Sequence, residues 1–186
     1  RLLFGTLMVI FFGGMMLLDG WLDGSITALR TDDLVTQGTL LTVMVMLLIA
    51  AGELELERLL SSTGARIFRP VVIPFAVLLS IGWYVSCIIP AINLAAYYAY
   101  VSAFAVMAVF LVQARRHATK NVVENCGSNL LAIFYPGILA CFVVGLRVKF
   151  GVWPLLMFIF TVKSCDIGAY LAGRMFGRRR FSPAIS

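Results

Sequence analysis

Lys163 and Asp166 are ionisable residues that interrupt an apolar run near the end of this 186-residue chain. Tyr170 follows, with glycines at 168, 173 and 177 and arginines at 174, 178, 179 and 180. A charge at the centre of a bilayer costs about 2.5–3.5 kcal/mol on insertion scales, so a carboxylate in such a run points to function. On a helix turning about 100° per residue, Lys163, Asp166, Tyr170, Gly173, Arg174 and Gly177 share one stripe about 100° wide. Lipid is a costly neighbour for that stripe, which is expected to face other helices or a wet cavity. One reading is a Lys163–Asp166 pair, i to i+3, that neutralises itself while the glycines allow close packing. The other is a carboxylate held for a cation at the mouth of an anion site, where the arginines supply fixed charge and bidentate phosphate geometry. The same arginines also suit plain anchoring at a surface of anionic lipid.

The elements that must position these residues follow from composition. The chain is 61% hydrophobic and 13% charged, about half the charged content of a soluble domain. It therefore reads as an all-α, polytopic integral membrane protein with about six spans and a single transmembrane domain over 1–186. The spans are expected at Leu2–Leu18, Leu34–Gly52, two within Pro70–Ala114, Asn129–Leu146 and Val152–Gly173. Pro70–Ala114 is 45 residues without a charge. As one helix it would reach about 67 Å, twice a bilayer core, so a turn is expected near Pro90 and Asn93. Asp19–Asp33 and Arg115–Ser128 read as polar loops, Pro136-Gly137 as a kink, and Glu53–Arg58 as a solvated amphipathic helix end. With Arg1 inside, 11 Lys/Arg fall in inside loops and three (Arg30, Arg147, Lys149) outside, with Lys163 in the membrane. That asymmetry obeys the positive-inside rule, and Arg147 and Lys149 are its misfit. Trp21, Trp83 and Trp153 then lie toward the outer side, and the arginine-bearing end of the last span toward the inner.

Other chemistries are disfavoured. Four cysteines without C-x-x-C spacing and a single histidine, His117, support neither a disulfide framework, a zinc site nor a Ser-His triad. The net charge of +6 fits topology better than nucleic-acid binding, for which aromatic-basic interleaving is lacking. No internal repeat supports an inverted-repeat transporter. Residue 1 is Arg, so the start is expected to be trimmed.

The pattern Asp166-Ile-Gly168-Ala169-Tyr170-x-x-Gly173-x-x-x-Gly177-Arg178, then Ser182-Pro183-Ala-Ile-Ser186, resembles the phosphatidate cytidylyltransferase (CDP-diacylglycerol synthase) family. The resemblance is specific over residues 129–186, which would open the catalytic portion, and loose over 1–128, which would be scaffold. It implies a membrane nucleotidyltransferase that joins CTP and phosphatidate to give CDP-diacylglycerol and pyrophosphate, with Mg²⁺ and room for a second cation. Asp166 would then serve the metal and phosphate site, Ser186 would open a catalytic loop, and Tyr170, Arg174 and Arg178 would be substrate-binding walls. Lys163 departs from the apolar or aromatic residue expected there. Ser186 aligns with the first Ser of the family's Ser-Pro-x-Lys-Thr-x-Glu-Gly, so this chain is expected to be a fragment, inactive alone. The resemblance places it in a bacterial inner membrane with the site facing the cytoplasm, membrane lipids as neighbours and a homodimer as one open assembly. A CTP-dependent lipid-alcohol kinase and a small transporter or channel with a buried Lys163–Asp166 pair are the competing readings.

Overall fold

The structure is a computed structural model that describes residues 2–24, 26, 38–62 and 64–176. It is all-helical over those residues. The helices are α1 (Leu2–Leu22), α2 (Thr39–Ser61), α3 (Arg69–Ser80), α4 (Gly82–Ile88), α5 (Leu94–His117), α6 (Val122–Phe150) and α7 (Val152–Phe176). Among the described residues α2, α5, α6 and α7 are long and apolar enough to cross a membrane. The pair α3–α4, bent by 58°, has the length and composition of a fifth, broken span or of a re-entrant loop, and α1 adds a further apolar helix. The chain is a polytopic membrane protein.

The turn expected in the long uncharged run is present. Asn93 caps α5, its side-chain oxygen accepting from the amides of Ala95 at 2.9 Å and Ala96 at 3.2 Å. This satisfies two of the orphan donors at a helix start, which explains why the chain can re-enter the bilayer there. The break between α3 and α4 is a finding that the apolar run conceals.

Helix α6 is the hub. Gly137, Cys141 and Gly145, one turn apart, are all buried on it and let other helices approach closely. A Cβ on Gly137 would stand 3.1 Å from the Ala76 carbonyl oxygen, and one on Gly145 would meet the Trp83 ring nitrogen at 2.6 Å. Two cores share α6. One joins Met16, Leu41, Ile49, Val144, Leu155 and Leu156; the other joins Val72, Leu79, Ala105, Val109, Ala132 and Ile133. Helix α6 runs unbroken through Pro136.

Three local expectations need correction. Residues 122–128 do not form a polar loop but begin α6. Asp19 lies inside α1 and is buried, not in a solvated loop. Glu53 is also buried, while α2 continues to Ser61. In each case a polar side chain turned inward where pattern alone assigned it to water.

The polar start of α6 is buried because it holds a neighbouring loop. Asn125 accepts from the Arg66 amide at 2.9 Å, and Asn129 accepts from the Phe68 amide at 2.6 Å while donating to the Arg66 carbonyl at 2.7 Å. Asn125 also donates to Gln113 on α5 at 3.1 Å. Buried backbone groups left unsatisfied cost about 1–3 kcal/mol each. Asn129→Leu orphans two of them, so it should lower the melting temperature of the purified protein clearly. A Tm within error of the parent would mean that water replaces the asparagine.

Candidate functional site

Among the described residues helix α7 is packed at its first two turns only. Val152, Leu155 and Leu156 are buried against α1, α2 and α6. From Phe160 through Met175 every residue is exposed. Of the two surroundings expected for the Lys163–Asp166 stripe, other helices or a wet cavity, no other helix covers it among the described residues. The physical cause is that the apolar packing of α7 stops at its first two turns, leaving the rest as a bare cylinder.

On that cylinder Lys163 Nζ and the Asp166 carboxylate lie 4.0 Å apart, with side chains 46% and 69% exposed. Tyr170 and Arg174 follow on the same helix, both exposed and without a hydrogen-bond or ion-pair partner among the described residues. Gly168 and Gly173 have open space where a Cβ would stand. The structure thus keeps Lys163 and Asp166 as a loose pair in line with Tyr170 and Arg174. Arg178 and Ser186 lie outside the described residues. An ion pair facing lipid would be costly, so this stripe suits a wet surface or headgroup level rather than the hydrocarbon zone.

Two polar layers brace the bundle at the two ends of α6. At one end Arg147 is fully buried and paired with both Asp19 and Asp23. Its Nε donates to Asp19 at 2.9 Å. The same carboxylates cap α2: Asp19 accepts from Leu40 at 2.9 Å and Leu41 at 3.2 Å, and Asp23 from Gly38 at 3.1 Å. Gly38 is required there, with φ of 83° and the Arg147 side chain 2.9 Å from where its Cβ would stand. Sequence reasoning took these residues for loop and misfit. The available signal was two aspartates four apart opposite an arginine on the wrong side of the charge count. Lys149 at this end sits 5.7 Å from the Trp83 ring centre, a cation–π position.

At the other end lies the Asn125–Asn129–Gln113 layer, with Arg66, Arg69, Arg115 and Arg116 on helix ends and loops of the same side. This is the basic end. An apolar groove of about 430 Å³ opens along the membrane zone between α1, α2, α6 and α7, lined by Phe12, Met16, Ile49, Leu139, Val143 and Ile159 among others. Ile159 is one turn before Lys163, so the groove runs up to the start of the polar stripe.

Glu53 was also missed. It is buried at 2% exposure, and neither carboxylate oxygen has a hydrogen-bond partner. The neighbouring Gly52 lines the groove. A buried carboxylate without partners gains little from its charge. Glu53→Gln should therefore fold and melt as the parent or slightly higher, and Glu53→Lys should fail to accumulate in membranes. A large fall in Tm with glutamine would instead show that the carboxylate holds a cation.

No group of three His, Cys, Asp or Glu side chains that could hold a metal exists among the described residues. Asp166 offers one carboxylate, beside a lysine, which does not make a divalent-cation site by itself.

No curated protein and no solved structure matches the chain. A model of the cytidylyltransferase family matches residues 25–186. That span takes in α2 to α7, with the Asn125–Asn129–Gln113 layer, Arg147 and the stripe on α7, while Asp19, Asp23 and the α1 wall of the groove lie before it. The chain belongs to the cytidylyltransferase family, whose members are CTP-using transferases.

Proposed function

We propose that this chain is the membrane-embedded part of an enzyme that joins CTP and phosphatidate, giving CDP-diacylglycerol and pyrophosphate. The family match over residues 25–186 carries the reading. Two features support its lipid side: an apolar groove suited to acyl chains, and a polar stripe that begins where the groove ends. Acyl chains in the groove would bring a lipid phosphate toward the basic end.

In the reaction an oxygen of the phosphatidate phosphate attacks the α-phosphorus of CTP. The new P–O bond forms as the bond to the β-phosphate oxygen breaks, and pyrophosphate leaves with the electron pair. Both reactants are anions, so their approach needs fixed positive charge. Arg174, and Arg178 beyond the described residues, would supply it through forked contacts to phosphate oxygens. Tyr170 would wall the pocket and offer a hydroxyl donor. Lys163 would hold Asp166 in place until substrate arrives. Mg²⁺ belongs to the proposal as the cation that neutralises the polyphosphate, with Asp166 as one ligand. The described residues do not complete such a site. Ser186, outside the described residues, would belong to the substrate loop. The basic end would face the cytoplasm of a bacterial cell.

The test is product analysis with the full-length protein in membranes, supplied with labelled CTP and phosphatidate. Cytidylyl transfer releases pyrophosphate and puts the cytidine label into lipid. Release of CDP with phosphorylation of a lipid alcohol would replace this reading by a kinase.

A further inference from the structure

A second pocket, of about 660 Å³, opens at the basic end between α2, α5 and the loop that leads into α3. Glu57, Arg66, Phe68, Arg69, Arg116 and His117 are among its lining residues. Residues of α7 do not contribute to it. Three arginines thus meet a single carboxylate, and that carboxylate is already paired with Arg69. Neither Arg66 nor Arg116 has an ion-pair partner among the described residues.

The arginines are not on a loose loop. The backbone of Arg66 is held on both sides, its amide by Asn125 and its carbonyl by Asn129. The Phe68 amide is held by Asn129, and its ring stacks on His117 at 5.7 Å and 13°. A buried hydrogen-bond layer therefore fixes the backbone that presents the guanidinium groups. Pre-ordering of this kind lowers the entropy lost on binding. Plain topology anchors need no such support.

We infer that this pocket binds the phosphate of an anionic lipid headgroup, at a site separate from the stripe on α7. Guanidinium forks match phosphate oxygens bidentately. Ile67, Phe68 and Pro70 give the same pocket an apolar wall, which suits the glycerol and first methylenes of a lipid better than a fully hydrated free ion. The pocket's position at the end of the membrane-spanning helices puts it at headgroup level. The bound lipid would clip the α2–α3 loop to the end of α5.

The full-length protein in neutral detergent is titrated with short-chain phosphatidylglycerol, phosphatidylcholine of equal chain length, and inorganic phosphate. Bound lipid is counted by native mass spectrometry. Phosphatidylglycerol should bind saturably, and Arg66→Gln/Arg116→Gln should weaken it about tenfold or more, which is about 1.4 kcal/mol. Lys120→Gln, an exposed cation at the same end but outside the pocket, should change binding by less than about twofold. Arg66→Lys/Arg116→Lys, which keeps charge but loses the fork, should fall between, and serves if the glutamine pair does not accumulate. Equal loss on Lys120→Gln would reduce the effect to general surface charge and overturn the site. So would retained binding in the arginine variants. Inorganic phosphate binding alone with the same arginine dependence would overturn the lipid source and assign the pocket to a soluble phosphate.

Discussion

Replacing Arg147 with methionine should destabilise the bundle by about 3–5 kcal/mol, the range for breaking a buried ion pair from one side. Arg147 is fully buried and binds two aspartates that are themselves 2% and 5% exposed. Removing it leaves two carboxylates facing one another without compensation. The loss would spread, because those carboxylates also cap α2 through Gly38, Leu40 and Leu41. Three elements, the end of α1, the start of α2 and the end of α6, would lose their common tie. Thermal melting of the purified protein measures this directly. Adding Asp19→Asn and Asp23→Asn to Arg147→Met should recover much of the loss, since asparagine keeps an acceptor for the α2 amides without the charge. A single Arg147→Met variant that melts as the parent would show that apolar packing, not this clamp, holds the end together.

The same clamp explains what pattern could and could not reveal. Hydropathy located the spans, because a bilayer demands about 20 apolar residues per crossing and leaves charged ends. It forced the turn at Asn93, since no single helix crosses twice. It did not reveal the break at Ile81, which Ser80 and Gly82 flank but no charge or proline marks. Three polar residues that face inward carry the pattern of solvent-facing segments: Asp19, Glu53 and Asn125 have the composition of loops and helix ends and the burial of a core. Their partners lie far along the chain, Arg147 being 128 residues from Asp19, and spacing within one segment cannot show such a pairing. Arg147 looked like a breach of the positive-inside rule. Its charge is spent on two aspartates, so it does not act as a free topogenic cation. For the candidate site, helical phasing put Lys163, Asp166, Tyr170 and Arg174 in line, but phasing does not say what lies opposite. The described residues leave that face open.

Asp166→Asn should abolish turnover of the full-length protein, by about a hundredfold or more, given that even outer partners of metal-bound groups cost about 10–100-fold. Folding should be spared. The Lys163–Asp166 pair is 46% and 69% exposed with a 4.0 Å separation, and exposed pairs of that kind contribute about 0–1 kcal/mol. Membrane insertion, elution profile and melting temperature should therefore match the parent while lipid cytidylylation and pyrophosphate release fall together. The double variant Lys163→Met/Asp166→Asn separates the two meanings of the pair. If Asp166 only neutralises Lys163, removing both charges restores activity, because nothing uncompensated remains. If Asp166 works on the phosphates, the double variant stays as inactive as the single one. Lys163→Met alone should then retain measurable turnover, since the carboxylate that matters is still in place. Activity within a few-fold of the parent for Asp166→Asn would move the chemistry off α7 altogether, and the open face of that helix would have to be read as a packing surface.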